Sequence, residues 1–298
     1  MKIQNPKSKI QKNVSLKNYT TFRIGGPAKY FFVAKAKENL IGAIKMAKKM
    51  KLPFFVLGGG SNILVSDKGF NGLVIKLQIT NYKLQTNSKK QIPKIYAEAG
   101  TPLALVVSEA TKKNLTGLEW AAGIPGTVGG AIYGNAGAFG SSMANVIKKV
   151  EVLDVKDLKF KNYDLKDCEF GYRDSIFKKN KNLIILSATL QLKEGKKEEI
   201  EKKIQENLKS RKEKQPLNFP SAGSIFKNPK GFSAGELIER CNLKGKRVGN
   251  VKISEKHANF IVNLGRGKAK DVMKLIKIIK NRVKKKFGVT LEEEIELL

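Results

Sequence analysis

Residues 56–64 read Val56-Leu57-Gly58-Gly59-Gly60-Ser61-Asn62-Ile63-Leu64, with three consecutive glycines between two apolar segments. Glycine permits tight turns and a close approach of the backbone to a ligand. Successive amide N–H groups in such a turn can bind an anion, and Ser61 and Asn62 add side-chain donors. The stretch therefore predicts a pyrophosphate-binding loop after a buried strand. A plain glycine turn between two strands explains the same spacing equally well.

A second glycine-rich stretch, residues 123–138, reads GIPGTVGGAIYGNAGA and contains no charged side chain. It has too much glycine for a stable isolated helix and too little charge for an exposed linker. We expect its backbone to pack closely against a flat ligand or against another backbone. A buried cofactor site and close packing of helices on small residues are both compatible with this pattern.

The sequence around these stretches alternates between strand-like and helix-like segments, which is typical of a mixed α and β protein. Strands are predicted at 29–33, 54–57, 63–65, 70–77, 149–154, 183–193 and 257–264, and helices at 38–51, 197–214, 233–241 and 268–286. A further helix is expected to begin at Pro102 with Thr101 as its N-cap. Residues 78–94 are expected to form an exposed hairpin or linker, and the prolines at 216 and 220 favour a domain boundary there.

The chain is strongly basic, with 58 Lys and Arg against 26 Asp and Glu and a formal net charge of +32. Such an excess first indicates a protein that binds nucleic acid or an anionic membrane. However, residues 101–200 carry a net charge of only +3, and Arg accounts for only seven of the 58 basic residues. Proteins that read bases or phosphates usually rely on the planar fork of arginine. These counts argue against a nucleic-acid partner, while a nucleic-acid-binding protein stays the rival that would explain the charge and nothing else. We interpret the basic face of the 268–286 helix as a solvated surface.

Several other classes are excluded by composition. One His and two Cys, Cys168 and Cys241, cannot supply a disulfide framework or a four-ligand zinc site, so no metal ligands are predicted. No apolar run approaches the ~20 residues of a membrane span, and the N-terminal sequence lacks an apolar secretory core. We therefore expect a cytoplasmic protein without a membrane partner. Neither a G-x-G-x-x-G after a strand nor a G-x-x-x-x-G-K-[ST] occurs, so a dinucleotide bound here requires a fold other than the Rossmann or P-loop types.

Three short segments in the second half combine polar and glycine residues: 171–175 (GYRDS), 221–229 (SAGSIFKNP) and 291–295 (LEEEI). Each has an ordinary explanation. Arg173 can pair with a neighbouring carboxylate, Ser224 can occupy a turn, and the terminal glutamates can offset the basic helix before them. The residues alone thus indicate a nucleotide or cofactor binder whose chemistry is open.

Six segments, taken in order, resemble the UDP-N-acetylenolpyruvoylglucosamine reductase family. They are residues 20–26, 57–67, 123–131, 171–175, 223–229 and the Leu-Glu-x-Glu ending at 291–294. The resemblance covers residues 13 to 298 and implies an α+β protein with two FAD-binding domains of the vanillyl-alcohol-oxidase-like (PCMH-type) fold, followed by a C-terminal α+β substrate-binding domain. The predicted domains are residues 1–78, 79–210 and 211–298.

The resemblance also implies the reaction. Members of this family use NADPH and FAD to reduce UDP-N-acetylglucosamine enolpyruvate to UDP-N-acetylmuramate, in cytoplasmic peptidoglycan precursor synthesis. It thus implies FAD as cofactor, NADPH as co-substrate, small-molecule substrates and a monomer. NADPH and the sugar nucleotide bind in turn at the same flavin face in these enzymes. This scheme needs no second dinucleotide fold, which agrees with the missing Rossmann motif.

By motif position, the resemblance assigns three groups of residues. The cofactor-binding group comprises Arg23, Gly58, Gly59, Gly60, Ser61, Asn62, Gly123, Gly126, Thr127, Gly130, Ala131 and Asn135, and the substrate-binding group comprises Tyr172, Lys214, Lys227 and Asn228. The catalytic group is Arg173 as a permanent cation, Ser224 as the proton donor to carbon and Glu294 as a protonated carboxyl that donates to the substrate carboxylate. Lys214 or Lys227 would assist the weakly acidic serine.

The spacing of 51 residues between Arg173 and Ser224 resembles the shorter class of this family. That class lacks an inserted loop that carries a substrate-covering tyrosine. Which residue covers the substrate in this chain is therefore left open by the resemblance.

Overall fold

The computed structural model describes residues 10–85 and 92–298. Its strands are β1 (Gln11–Ser15), β2 (Pro27–Ala34), β3 (Phe54–Leu57), β4 (Ile63–Leu64), β5 (Phe70–Leu77), β6 (Tyr82–Gln85), β7 (Lys94–Glu98), β8 (Leu115–Thr116), β9 (Gly137–Ala138), β10 (Ser141–Ser142), β11 (Ile147–Asp154), β12 (Lys159–Asp164), β13 (Leu183–Gln191), β14 (Lys193–Glu194), β15 (Arg247–Val248), β16 (Val251–Ile253), β17 (Ile261–Asn263) and β18 (Glu296–Leu297). Its helices are α1 (Lys37–Lys49), α2 (Leu103–Lys112), α3 (Val128–Tyr133), α4 (Ile176–Lys179), α5 (Lys197–Lys214), α6 (Ala234–Arg240) and α7 (Ala269–Phe287).

The chain separates into two compact units, each built from stretches that are distant in sequence. Unit 1 consists mainly of Phe32–Gly59 and Leu73–Ser210. Unit 2 consists of Gln11–Phe31, Gly60–Gly72 and Arg211–Leu298. The chain therefore passes from one unit to the other inside the 58–62 glycine loop. The division into domains 1–78, 79–210 and 211–298 stays a prediction.

Unit 1 is centred on a five-stranded antiparallel sheet with the order β12-β11-β13-β7-β6. The central strand β13 is almost wholly buried, and its partly exposed residues are Thr189 and Gln191. Helices α2 and α3 contact this sheet. Helix α2 buries Leu103, Val106, Val107 and Ala110, which form one apolar face of the helix.

The remainder of unit 1 contains α1 and a parallel pairing of β3 with the second half of β5. Helix α1 buries Leu40, Ala43, Ile44 and Ala47. At its N-terminus, the Lys37 ammonium lies 2.5 Å from the Glu151 carboxylate of β11. The Ser187 hydroxyl of β13 donates to the same carboxylate at 2.8 Å. These contacts tie α1 to the five-stranded sheet.

Unit 2 combines α6, α7, the antiparallel sheet β15-β16-β17 and a parallel pair of β4 with β18. Helix α7 buries an apolar face that includes Val272, Leu275, Ile276, Ile279 and Val283. The Asp67 carboxylate accepts from the Ala269 and Lys270 amides at 2.8 and 3.0 Å. This side chain satisfies two donors at the α7 N-terminus that the helix itself leaves unpaired.

Three sequence predictions differ from the structure. Thr101 is not an N-cap, because its hydroxyl donates to the Asn81 carbonyl and the helix begins one residue later, after Pro102. The strand predicted at 257–264 is limited to β17. The residues before β17 form a turn in which the Phe260 amide donates to the His257 carbonyl. The glycine-rich stretch contains the short helix α3, which packing stabilises despite its unfavourable propensity.

Residues 78–94, where a hairpin or linker is predicted, contain β6 and the start of β7, which pair antiparallel. Residues 86–91 of this segment lie outside the described part of the chain. Across 10–85 and 92–298, no helix has the length and apolar character needed to cross a bilayer. The same described residues contain no group of three His, Cys, Asp or Glu side chains suited to a metal ion.

Candidate functional site

The two glycine-rich stretches lie against each other in unit 1. A Cβ atom built on Gly59 would lie 2.6 Å from the Gly126 Cα, and one on Gly58 would lie 2.9 Å from the Thr127 hydroxyl oxygen. Real Cβ atoms do not approach neighbours this closely. The expected close packing of one backbone on another is thus confirmed, and it joins the end of β3 to the start of α3.

Helix α3 is anchored by its own glycines. The Gly129 amide donates to the Ala99 carbonyl at 2.9 Å, and a Cβ on Gly129 would lie 2.7 Å from the Ala99 Cβ. The Thr127 hydroxyl accepts from the Gly130 amide and so caps the helix. Gly130 itself is exposed, whereas Ala131 is buried beneath it. The first turn of α3 is therefore held beside Gly58 and Gly59.

Lys76, a residue outside the sequence motifs, supports this arrangement. The Lys76 ammonium of β5 donates to the Gly58 carbonyl. Burial lowers the pKa of Lys76 below its ordinary value, because a charged group loses hydration inside the protein. The available signal was a lysine within the otherwise apolar β5 sequence Leu73-Val74-Ile75-Lys76-Leu77.

Arg173 lies in a second part of unit 1 where the 171–175 segment meets the end of the glycine-rich stretch. Its guanidinium donates to the Gly137 carbonyl at 2.8 Å, and it lies 5.3 Å from the centre of the Tyr172 ring. The Asn135 side chain donates to the Gly171 carbonyl at 2.8 Å and accepts from the Ala144 amide at 3.1 Å. Asn135, predicted to bind cofactor, thus orients the 171–175 segment.

The two carboxylates that neighbour Arg173 in sequence, Glu169 and Asp174, both lie near Lys179. The Lys179 ammonium lies 3.2 Å from the Glu169 carboxylate and 3.7 Å from that of Asp174. The backbone of Arg173 is in the left-handed region, with φ of 55°, which is uncommon for a residue other than glycine. A strained backbone held by several contacts is compatible with a functional role for this arginine.

The second half of the glycine loop belongs to unit 2. Gly60 has φ of +66°, and a Cβ there would overlap the Tyr19 carbonyl oxygen, so this position requires glycine. The Gly60 carbonyl accepts from the Thr21 amide at 3.0 Å. The Thr21 hydroxyl donates to the Ser221 carbonyl at 2.8 Å. The 20–26 motif therefore connects the loop to the segment that contains Ser224.

Ser224 and Glu294 lie on neighbouring paired segments of unit 2. The Glu294 amide donates to the Ile225 carbonyl at 2.8 Å, and the Lys227 amide donates to the Glu292 carbonyl at 2.9 Å. Both Ser224 and Glu294 are partly exposed. The Asn62 side chain donates to the Glu294 carbonyl at 3.0 Å, which brings the glycine loop, the serine segment and the C-terminal segment together.

The other predicted residues of unit 2 have varied surroundings. Arg23 and Lys214 are exposed, while Ser61 lies beside Thr21 through its carbonyl. The Lys227 ammonium pairs with the Glu292 carboxylate at 2.6 Å. The Asn228 side chain accepts from the amide of the first residue of α6 at 3.0 Å. Gly123 of unit 1 is an exposed turn residue with φ of +75°.

The chain is similar to known protein families over most of its length. Residues 28–157 match the model described as "FAD binding domain", and residues 215–298 match the C-terminal domain of UDP-N-acetylenolpyruvoylglucosamine reductase. The enzyme of that name from Caldanaerobacter subterraneus is 46% identical over 292 residues, covering 97% of this chain and 94% of the relative.

Two solved structures have folds similar to that of this chain. The Thermus caldophilus UDP-N-acetylenolpyruvylglucosamine reductase has a TM-score of 0.80 at 40% identity, over 97% of this chain and 98% of that one. A solvent-stable cholesterol oxidase has a TM-score of 0.50 at 14% identity, over 65% of this chain and 40% of its own, which is a likeness of fold alone. The predicted α+β class with FAD-binding domains is confirmed. The chain therefore belongs to the UDP-N-acetylenolpyruvoylglucosamine reductase family.

Proposed function

We propose that this protein is an FAD-dependent oxidoreductase that uses NADPH to reduce the enolpyruvyl group of UDP-N-acetylglucosamine enolpyruvate, giving UDP-N-acetylmuramate for peptidoglycan synthesis. The observation that carries the proposal is the pairing of the Ser224 segment with the Glu294 segment, both joined to the glycine loop. Relatives named for this reaction match nearly the whole chain.

The residues at the two glycine-rich stretches fit FAD. Gly58, Gly59 and Gly126 carry no side chain that would cover the backbone, and successive amides in such a loop can bind a pyrophosphate. Lys76 donates to the Gly58 carbonyl and so fixes the start of this loop. When bound, FAD supplies a two-electron carrier that accepts a hydride from NADPH and passes it to the substrate.

Arg173 would bind the carboxylate of the enolpyruvyl group. A guanidinium stays protonated at any working pH and matches a carboxylate in shape. Its hydrogen bond to the Gly137 carbonyl and the support of its segment by Asn135 fix its direction. Such preorganised charge lowers the barrier most when negative charge develops during the reaction.

Ser224 and Glu294 would complete the reduction. Addition of hydride to the terminal carbon of the double bond leaves negative charge on the adjacent carbon and its carboxylate. A protonated Glu294 would donate a hydrogen bond to that carboxylate, and the Ser224 hydroxyl would give its proton to the carbon. Tyr172, Lys214, Lys227 and Asn228 are proposed to contact the sugar nucleotide.

The proposed reaction also indicates which partners the protein needs. The reaction needs two small anionic substrates and neither a nucleic acid nor a membrane, and we infer a cytoplasmic monomer. Light scattering coupled to size-exclusion chromatography tests the monomer. A mass of twice 33.0 kDa would contradict it.

The Ser224→Ala variant tests the proposed chemistry. We expect NADPH to bleach the visible flavin absorption at a rate within about twofold of wild type. Reoxidation by the enolpyruvyl sugar nucleotide should slow by ~10²-fold or more, which is the usual contribution of a positioned general acid. Anaerobic stopped-flow absorption measures both half-reactions.

Ser254→Ala is the matched control, since the hydroxyl of this unit 2 serine accepts from the nearby amides of Lys256 and His257. Equal loss of both half-reactions in Ser224→Ala would remove the proton-donor role. A wild-type protein whose reduced flavin reacts with oxygen but not with the sugar nucleotide would contradict the proposed function itself.

A further inference from the structure

Asn259 binds both backbone groups of one residue in the proposed proton-donor segment. Its side-chain oxygen accepts from the Phe226 amide at 3.0 Å, and its side-chain nitrogen donates to the Phe226 carbonyl at 2.8 Å. The Asn259 carbonyl also accepts from the Ile225 amide at 2.9 Å. Asn259 is 4% exposed, so water does not compete for these three hydrogen bonds.

These bonds place the Ser224 segment in the middle of three adjacent backbones. On one side, Ser224 forms a bridge with Phe260, directly after Asn259. On the other side, Phe226 forms a bridge with Glu293, and the Ile225 carbonyl accepts from Glu294. A shift at Phe226 would therefore move Ser224 and Glu294 with respect to each other.

The primary amide of Asn259 is suited to binding the backbone of Phe226. A backbone unit presents one donor and one acceptor, and a primary amide presents the complementary pair. Alanine would leave both buried backbone groups of Phe226 without this partner, and an ionised aspartate would set an acceptor against the Phe226 carbonyl. Unmade hydrogen bonds in the interior are costly, so the segment would shift to find other partners.

We propose that Asn259 is a positioning residue for proton transfer, which holds the Ser224 hydroxyl and the Glu294 carboxyl in register by pairing with the Phe226 backbone. The proposal rests on the function proposed above. It concerns the step in which the substrate carbon receives its proton, and it leaves the reduction of the cofactor by NADPH untouched.

Two variants and one control test the proposal. In Asn259→Ala and Asn259→Asp at pH 8, we expect reoxidation by the enolpyruvyl sugar nucleotide to slow ~10- to 100-fold, as small misplacements near reacting groups do. Reduction by NADPH should stay within about twofold of wild type. Ser254→Ala should leave both rates unchanged, because the Ser254 hydroxyl bonds within its own turn, to the Lys256 and His257 amides.

Two further readouts separate positioning from general destabilisation. Hydrogen exchange of the peptide that contains Phe226 should accelerate in Asn259→Ala but not in Ser254→Ala. The solvent deuterium isotope effect on reoxidation should rise, since proton transfer then limits that step more strongly. A variant that is merely less stable would lose bound flavin and both half-reactions together.

The aspartate variant also offers a rescue. A buried carboxyl has a raised pKa, and its protonated form again presents one donor and one acceptor to Phe226. The reoxidation rate of Asn259→Asp relative to wild type should therefore recover as the pH falls from 8 to 6. This rescue decides the question if Asn259→Ala does not fold.

Reoxidation rates of both Asn259 variants equal to those of Ser254→Ala, or a relative rate that does not change with pH, would overturn the inference. Neither result would affect the proposed function, which fails instead if wild type itself is not reoxidised by the sugar nucleotide.

Discussion

Lys76 is a partly buried cation in a strand whose neighbours are apolar. Removing an ammonium from water costs free energy, and the lowered pKa of Lys76 reflects this cost. Its hydrogen bond to the Gly58 carbonyl offsets part of the penalty and fixes the turn at the start of the glycine loop. A methionine would pack better in this strand, so the lysine is best explained by its effect on the loop.

The pKa of Lys76 predicts how its replacement changes stability with pH. Between the lowered folded pKa and the ordinary lysine value, the unfolded chain binds more protons than the folded chain at this site, so its contribution to folding stability rises with pH. Below both values the buried charge is a constant cost. Lys76→Met should therefore be most favourable relative to wild type near pH 7 and lose that advantage as the pH approaches 10.

Urea unfolding at pH 7, 8, 9 and 10 measures this difference. Lys83→Met is the control for the loss of a strand lysine, because Lys83 on β6 is exposed. In addition, the FAD dissociation constant of Lys76→Met should rise ~10-fold, since a hydrogen bond from a charged group is worth about 1.5–3 kcal/mol. A pH-independent difference for Lys76→Met would contradict the assignment.

At the scale of elements, the site depends on the packing of the β3 end on the start of α3. The contact is made by backbone atoms of Gly59 and Gly126, which a flexible side chain cannot relieve. Inserting a methyl group there must displace one of the two elements. Both belong to the region we propose for the FAD pyrophosphate, so stability and cofactor content should change together.

Gly59→Ala tests this packing. We expect a loss of about 1–3 kcal/mol of stability, the usual effect of overpacking, and a fall in the ratio of flavin to protein absorbance. Gly134→Ala is the control, because a Cβ there would lie 3.9 Å from the Gly130 carbonyl oxygen and the φ of Gly134 is −95°. Calorimetry with visible spectra should separate the two variants, and equal melting temperatures would contradict a tight contact at Gly59.

The regular elements could be predicted from the sequence far better than the contacts among them. Helices α5 and α7 and strands β3 and β5 begin and end within one residue of their predicted positions, because their apolar residues follow helical or extended periods. Strands β15 and β16 are only two and three residues long and leave no period to detect. The meeting of Gly59 with Gly126, 67 positions apart, is a tertiary contact that local pattern does not encode.

The same limit applies to the site. The motifs identified Ser224, Glu294 and the glycine loop, and the structure joins their segments by hydrogen bonds. Asn259 and Lys76 could not be identified from the sequence, because the role of a buried amide or a strand lysine depends on the groups to which it hydrogen-bonds in the folded structure. Thr101 shows the converse, since a favourable capping pattern is overridden by a tertiary hydrogen bond to Asn81.

At the scale of the whole molecule, the charge is too large to be neutralised within the chain. Even if every Asp and Glu paired with one basic residue, 32 positive charges would remain. Exposed ion pairs contribute little to stability, so the excess has no structural purpose that the fold requires. Its consequence is a positive potential around the protein, which attracts anions over a distance of about 10 Å at 0.1 M salt.

Both proposed substrates are anions, and this predicts steering. The second-order rate of flavin reduction by NADPH should fall ~10-fold or more between 0.02 and 0.5 M salt, within the range known for steered association. The first-order rate at saturating NADPH should hardly change, because the bound complex no longer depends on long-range attraction. NADH lacks one phosphate and should give a shallower dependence on salt, which makes it the matched control. Stopped-flow absorption at several ionic strengths measures both slopes, and equal slopes for the two coenzymes, or no slope for either, would leave the surplus lysines without a role in substrate capture.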